Sequence, residues 1–143
     1  MGLNAGPSGP FFSTKTLAFT GAAGLGAKGA VPLFTVTGEV LVEKIVTFCS
    51  EDLAGAAATL ELGVTGSVAL FVAANVGTTI DVGEFVVSTT PTGNGIAVTA
   101  ACKDIVITDN IIGTVAVADI TDGTIRVDVY WRPLSSDGNV VAA

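Results

Sequence analysis

Thr124-Ile125-Arg126-Val127-Asp128-Val129-Tyr130-Trp131-Arg132 is the stretch that decides the fold class of this chain. Ile125, Val127, Val129 and Trp131 fall on one face, and Thr124, Arg126, Asp128, Tyr130 and Arg132 fall on the other. Successive side chains of a strand point to opposite sides, so the alternation predicts a strand with one face on a core and the other on water or a neighbour.

The same language extends back to Val31. Short runs rich in Val, Ile, Thr and Phe are separated by Gly, Asp and Asn, the punctuation of a sheet protein. Strands are expected near Val31–Thr37, Glu39–Ser50, Thr59–Val64, Val68–Ala74, Glu84–Thr89, Ile96–Ala101, Asp104–Thr108, Gly113–Ala118 and Thr124–Arg132. Turns are marked by Thr37-Gly38, Val64-Thr65-Gly66-Ser67, Gly93-Asn94-Gly95 and Asp122-Gly123. The last predicts a tight hairpin, because Asp-Gly accepts the positive φ angles such a turn needs. Val86-Val87 and Ile105-Val106-Ile107 are apolar on both faces, which predicts central strands of a sandwich or strands covered by another subunit. Glu51 to Ala58 could form one helical turn. Strands spaced about ten residues apart point to an all-β, single-domain sandwich, jelly roll or small barrel.

Residues 1–30 differ in composition, with Gly, Ala, Ser and Pro interrupted by Phe11-Phe12 and Leu17-Ala18-Phe19. They read as an extended N-terminal arm, ordered by docking on a partner or by packing on this chain's own core. The β-rich domain then covers residues 31–133, and residues 134–143 form a C-terminal tail.

Composition limits function. Of 143 residues, 50% are hydrophobic and 13% charged, against roughly 25% charged in an ordinary soluble domain. Thirteen acidic residues against six basic ones give a net charge of -7. Lys15, Lys28, Lys44, Lys103, Arg126 and Arg132 are scattered, whereas nucleic-acid backbones demand clustered positive charge, so no nucleic-acid partner is expected. There is no histidine, which removes Ser-His and Cys-His catalysis. Cys49 and Cys102 lie in apolar runs and read as small buried hydrophobes, with a single bridge possible but not required. The opening ten residues lack a basic region and are broken by Pro and Gly, so no signal peptide is expected. Leu62 to Ile80 is uncharged, but its Gly, Thr, Ser and Asn leave it too polar for a membrane helix.

The remaining chemical motifs are weak. Gly24-Leu25-Gly26-Ala27-Lys28-Gly29 matches the dinucleotide-loop spacing, but strand-like sequence and Pro32 follow where a helix is required, so it reads as a flexible hinge. Asp104, Asp109, Asp119 and Asp122 lack calcium-loop spacing and suit turns. Glu39, Glu43, Glu51, Asp52, Glu61 and Glu84 form no acid-base constellation and read as solvated strand faces. No catalytic residue, cofactor or metal site is expected, and the chain reads as a building part rather than an enzyme.

Leu33-Phe34-Thr35-Val36-Thr37-Gly38-Glu39-Val40-Leu41-Val42, the Asp52–Gly63 block Asp-Leu-Ala-Gly-Ala-Ala-Ala-Thr-Leu-Glu-Leu-Gly and the ending Trp131-Arg132-Pro133-Leu134-Ser135-Ser136-Asp137-Gly138-Asn139-Val140-Val141-Ala142-Ala143 resemble small head-associated structural proteins of tailed bacteriophages, of the decoration or cement kind. The likeness covers most of residues 30–143. It implies a β-rich homotrimer on the exterior of an icosahedral capsid, assembled in the host cytoplasm, with the major capsid protein as partner. Phe11, Phe12 and Phe19 in the arm, with Pro133, Leu134, Val140 and Val141 in the tail, are then the candidate partner-binding residues. The rival readings are a phage tail, fibre or head-spike component, and a carbohydrate-binding β-sandwich module.

Overall fold

A computed structural model describes residues 11–86 and 104–143. The expected strand Ile96–Ala101, the turn Gly93-Asn94-Gly95, Val87 and Cys102 lie outside the described residues. Ten strands occur within them: β1 (Phe11–Ala18), β2 (Gly29–Thr37), β3 (Val40–Ala54), β4 (Thr59–Val64), β5 (Ser67–Val76), β6 (Phe85–Val86), β7 (Ile105–Ile107), β8 (Ile111–Ala116), β9 (Asp122–Pro133) and β10 (Asn139–Ala142). They form two antiparallel sheets packed as a β-sandwich, and no barrel closes. One sheet has the order β1-β9-β3-β6 with β7 also on β3, and the other has the order β10-β2-β8-β4-β5.

The period of two in β9 sets the core. Ile125, Val127 and Val129 are fully buried and Trp131 nearly so, facing Val31, Leu33, Phe34, Leu60, Leu62, Ile111 and Val115 of the opposite sheet in one hydrophobic cluster. Cys49 belongs to this cluster. Its thiol donates to the carbonyl of Glu51 at 3.1 Å, and burial pushes its pKa up.

Strands adjacent in sequence are mostly not adjacent in space. Among the described residues only β4 and β5 form a sequential hairpin within one sheet, closed by Thr65-Gly66 with Val64 opposite Ser67. The Asp122-Gly123 pair is not a hairpin turn. β8 pairs with β2 and β4, whereas β9 pairs with β1 and β3, so the chain changes sheets there. Gly123 takes φ 102° because a Cβ would collide with the carbonyl oxygen of Asp52. The positive φ serves a close approach of β3 rather than a turn.

Further expectations change. Residues 11–18 are extended but belong to the sandwich: β1 pairs along its whole length with β9, and Leu17 and Phe19 are buried in the core. The tail is likewise a strand, β10, paired with β2, so neither the boundary at residue 30 nor that at 134 separates an arm or tail from the domain. Glu51–Ala54 continues β3 instead of turning into a helix, and a tight turn follows in which Ala58 N–H donates to Gly55 O. Among the described residues the runs around Val86 and Val106 are short strands that pair with β3 alone, not central ones.

The Gly24–Gly29 segment is held in place. Thr20 and Gly21 N–H donate to Leu25 O, Ala27 N–H donates to Ala22 O, and Gly26 O accepts from Ile120 N–H at 2.8 Å. Lys28 N–H also donates to the Asp119 carboxylate at 2.9 Å. A Cβ on Gly26 would strike the Ile120 carbonyl, so the glycine lets this turn lie directly on the corner between β8 and β9. At that corner Val117 has φ 68° and is exposed, while Ala118 N–H donates to Ala116 O. That is a γ-turn with a β-branched residue at its centre, a strained arrangement.

Two stability outcomes are expected. Phe19→Ala should cost about 3–5 kcal/mol in urea unfolding, the range for emptying a buried aromatic site; a loss no greater than that at a surface position would return residues 11–20 to the role of a dispensable arm. Val117→Gly should stabilise by about 1 kcal/mol, since relief of the left-handed strain exceeds the added chain entropy of glycine; thermal unfolding reads the sign.

Candidate interaction surface

The outward side of the β1-β9-β3-β6 sheet carries the most concentrated chemistry among the described residues. Registry builds it in rows. Phe12 lies opposite Tyr130, Thr14 opposite Asp128 and Thr16 opposite Arg126; across β9, Tyr130 faces Lys44, Asp128 faces Val46 and Arg126 faces Phe48. Phe48 in turn faces Phe85 of β6. Paired residues of antiparallel strands share a side of the sheet, so these side chains form one surface.

Two aromatic pairs mark its corners. The Phe12 and Tyr130 rings are 5.2 Å apart and those of Phe48 and Phe85 are 5.1 Å apart, both tilted, a spacing that favours edge-to-face attraction. Phe12 and Phe85 remain more than half exposed. The Arg126 guanidinium lies 5.4 Å from the Phe48 ring centre, within cation-π range.

Asp128 holds the middle. Its side is the outward one, yet it is only 7% exposed. Its carboxylate accepts from the Thr14 hydroxyl at 2.7 Å and from Arg126 Nε at 3.0 Å. These bonds satisfy a carboxylate that water reaches poorly, and they fix Arg126 over Phe48. Arg132 pairs similarly with Glu43, which bulges from β3 between Val42 and Lys44. Beside them Glu43, Lys44, Val46 and Tyr130 line an open depression of about 370 Å³.

Charge on this surface is balanced. Lys44, Arg126 and Arg132 lie on it with Glu43, Asp128 and Glu51; Glu43 and Asp128 are ion-paired, and Glu51, opposite Thr124, accepts from the Thr124 hydroxyl at 2.9 Å. The face is therefore aromatic and charge-balanced on a chain whose net charge is -7.

The partner-binding candidates divide. Phe12, Leu134 and Val141 are exposed. Phe11 is half-buried and stacks on Trp131 at 4.9 Å, and Pro133 is half-buried. Phe19 and Val140 are core residues, 2% exposed each, and cannot touch a partner; both are inward positions of segments whose pairing partners lie far away in sequence. Trp131 is inside the sandwich too, its indole N–H donating to Ser13 Oγ at 2.9 Å, which donates onward to Val140 O at 2.7 Å. That relay, with Lys15 Nζ donating to Pro32 O and Ala143 O, stitches β1 to the β10–β2 edge of the other sheet. Sequence reasoning missed Phe48, Phe85, Lys44 and Val46 as a surface; the signal available was the two-faced apolar run Ile45-Val46-Thr47-Phe48.

No protein-family model, curated protein or solved structure matches this chain.

Asp128→Ala should lower stability by about 1–2 kcal/mol, the value of two part-buried hydrogen bonds, one of them to a charged group. Chemical denaturation reads the loss. An Asp128→Ala protein as stable as the parent would remove Asp128 as the organiser of this face.

Proposed function

We propose that this chain is a virion structural protein that binds the exterior of an icosahedral phage capsid and stabilises it as a decoration or cement protein, working as a homotrimer. The observation that carries the reading is where exposed apolar area sits: on the flat, hydrogen-bonded surface of a sandwich and along its β1–β10 seam, rather than inside a deep cleft. Phe12, Phe85, Val106, Leu134 and Val141 are all about half exposed or more, and apolar area presented on rigid sheet suits contact with another protein. The resemblance of residues 30–143 to phage head-associated proteins supplies the kind of partner.

The mechanism is mechanical. A protein that binds assembled capsid subunits but not free ones stabilises the lattice by mass action. Rigidity helps, because a preformed surface loses little entropy on docking. The acidic remainder of the surface faces solvent and repels packaged nucleic acid. Phe12, Leu134 and Val141 are the surviving candidates for the capsid contact, with the major capsid protein as partner. A carbohydrate-binding role gains less support, since Trp131, the strongest sugar-stacking side chain, is buried.

The test uses capsids that lack the protein. Added chain should saturate them and raise their melting temperature, and the Phe12→Ser, Leu134→Ser, Val141→Ser triple variant should bind at least about tenfold more weakly, roughly the loss of 1.4 kcal/mol. Its own unfolding temperature should stay near that of the parent. Capsids that take up no wild-type chain would end the reading; full occupancy by the triple variant would remove the seam as the contact.

A further inference from the structure

The first and last strands among the described residues lie side by side. β1 is at the edge of one sheet and β10 at the edge of the other, and side chains build the seam between them. Ser13 Oγ donates to Val140 O at 2.7 Å, and further along β1 the Lys15 ammonium donates to Ala143 O at 2.7 Å. Residue numbers rise together along the seam, so the two strands run parallel. Lys15 also donates to Pro32 O at 2.8 Å, so one ammonium clasps β1, β2 and the residue that follows β10.

Parallel ends fix the direction in which tension acts. A pull between the N- and C-terminal ends reaches β1 at its start, through Phe11, and β10 at its end, through Ala143, and these points lie at opposite ends of the seam. The pull therefore runs along both strands. Ladder hydrogen bonds of an antiparallel pair are perpendicular to the strands, so they are sheared together instead of opened one by one. β10 is held by four register pairs with β2, from Asn139 opposite Thr37 to Ala142 opposite Phe34, and by Ala143 N–H donating to Leu33 O at 3.0 Å. Val140 is buried and must leave the core before β10 slides. β1 has eight pairs with β9 and buries Leu17, so β10 is the strand that yields.

We propose that this sandwich carries tension between its two ends, with β10 as the clamp and Lys15 as its bolt. Release of β10 ends the resistance. The pull then passes through residues 134–138 to Pro133 on β9, beside the start of β1, because Phe11 lies opposite Trp131. Both forces now act at one end of the β1–β9 ladder, which opens pair by pair. A strand of four residues, Asn139–Ala142, thus governs the mechanical strength of the whole chain. This inference goes beyond the capsid reading and does not depend on it.

Single-molecule force spectroscopy tests it by changing the direction of pull. Handles at the two termini shear β10, whereas a handle at the N-terminus and one on a tag inserted after the exposed Ser136 peel β1 from β9. The end-to-end geometry should need about four times the force, since four ladder pairs share the pull instead of one. Both geometries start from the same fold, so general stability does not produce the difference. Lys15→Met keeps an apolar stem and removes the ammonium. Forced unfolding follows the unfolding rate, and this variant held end to end at constant force should survive about tenfold more briefly, having lost hydrogen bonds to a charged group. Circular dichroism should show both altered chains folded; where the inserted tag disturbs folding, the Lys15→Met lifetime decides alone. Equal rupture forces in the two geometries overturn the proposal, and so does an unchanged lifetime in Lys15→Met. Capsids take no part in the measurement, so failure here leaves that reading standing and the converse also holds.

Discussion

The pairing of β3 with β9 is the interaction on which the rest of this molecule depends. Residues from Val40 to Ala54 run antiparallel to residues from Asp122 to Pro133, and these long strands carry the centre of the first sheet. Their inward sides supply Val40, Val42, Cys49, Ile125, Val127, Val129 and Trp131 to the core. Their outward sides bring Lys44, Val46 and Phe48 level with Tyr130, Asp128 and Arg126. Core and candidate surface are thus two faces of one register. A one-residue slip would exchange them, placing Arg126 and Asp128 inside, and the cost of burying those charges is what fixes the register.

Chain crossings follow from the same constraint. Because the partners of nearly every strand lie far away in sequence, each segment gains its hydrogen bonds only after distant parts have met. Close packing at the crossings then falls to glycine: Gly26 lies against Ile120, and Gly123 lies against Asp52. The apolar share of the composition reflects this architecture as well. Two sheets need both inward faces filled, and the outward face around Phe48 and Phe85 holds additional apolar area, which is why so few charges remain for the surface.

The β class and most strand positions were legible from period and punctuation, and the sandwich was among the architectures they allowed. Thr59–Val64 matched without adjustment and Ile125 to Trp131 pointed inward as the alternation required. Strand β1 was hidden because its inward row, Phe11, Ser13, Lys15 and Leu17, is half polar. The structure makes use of that polarity at the seam: Ser13 bridges Trp131 and Val140, and Lys15 reaches two carbonyls. Desolvation holds the Lys15 ammonium below its ordinary pKa. Asp122-Gly123 misled for a different reason. A positive φ signals that a glycine is needed, but the need can be a close backbone approach as readily as a turn.

Alternation, turn residues and charge scarcity are local properties of the chain, so the sequence by itself determined that this protein is made of strands, that Trp131 is buried and Tyr130 is not, and that its body is acidic. Which strands meet is not local. It depends on complementary packing of segments up to 128 residues apart, and only the tertiary structure decided that β1 and β10 close one side of the sandwich. The same pairing gathered Phe12, Tyr130, Lys44, Phe48, Arg126 and Phe85 onto one face. A surface is a property of neighbours in space, and hydrogen-bond registry between distant strands is what makes these residues neighbours.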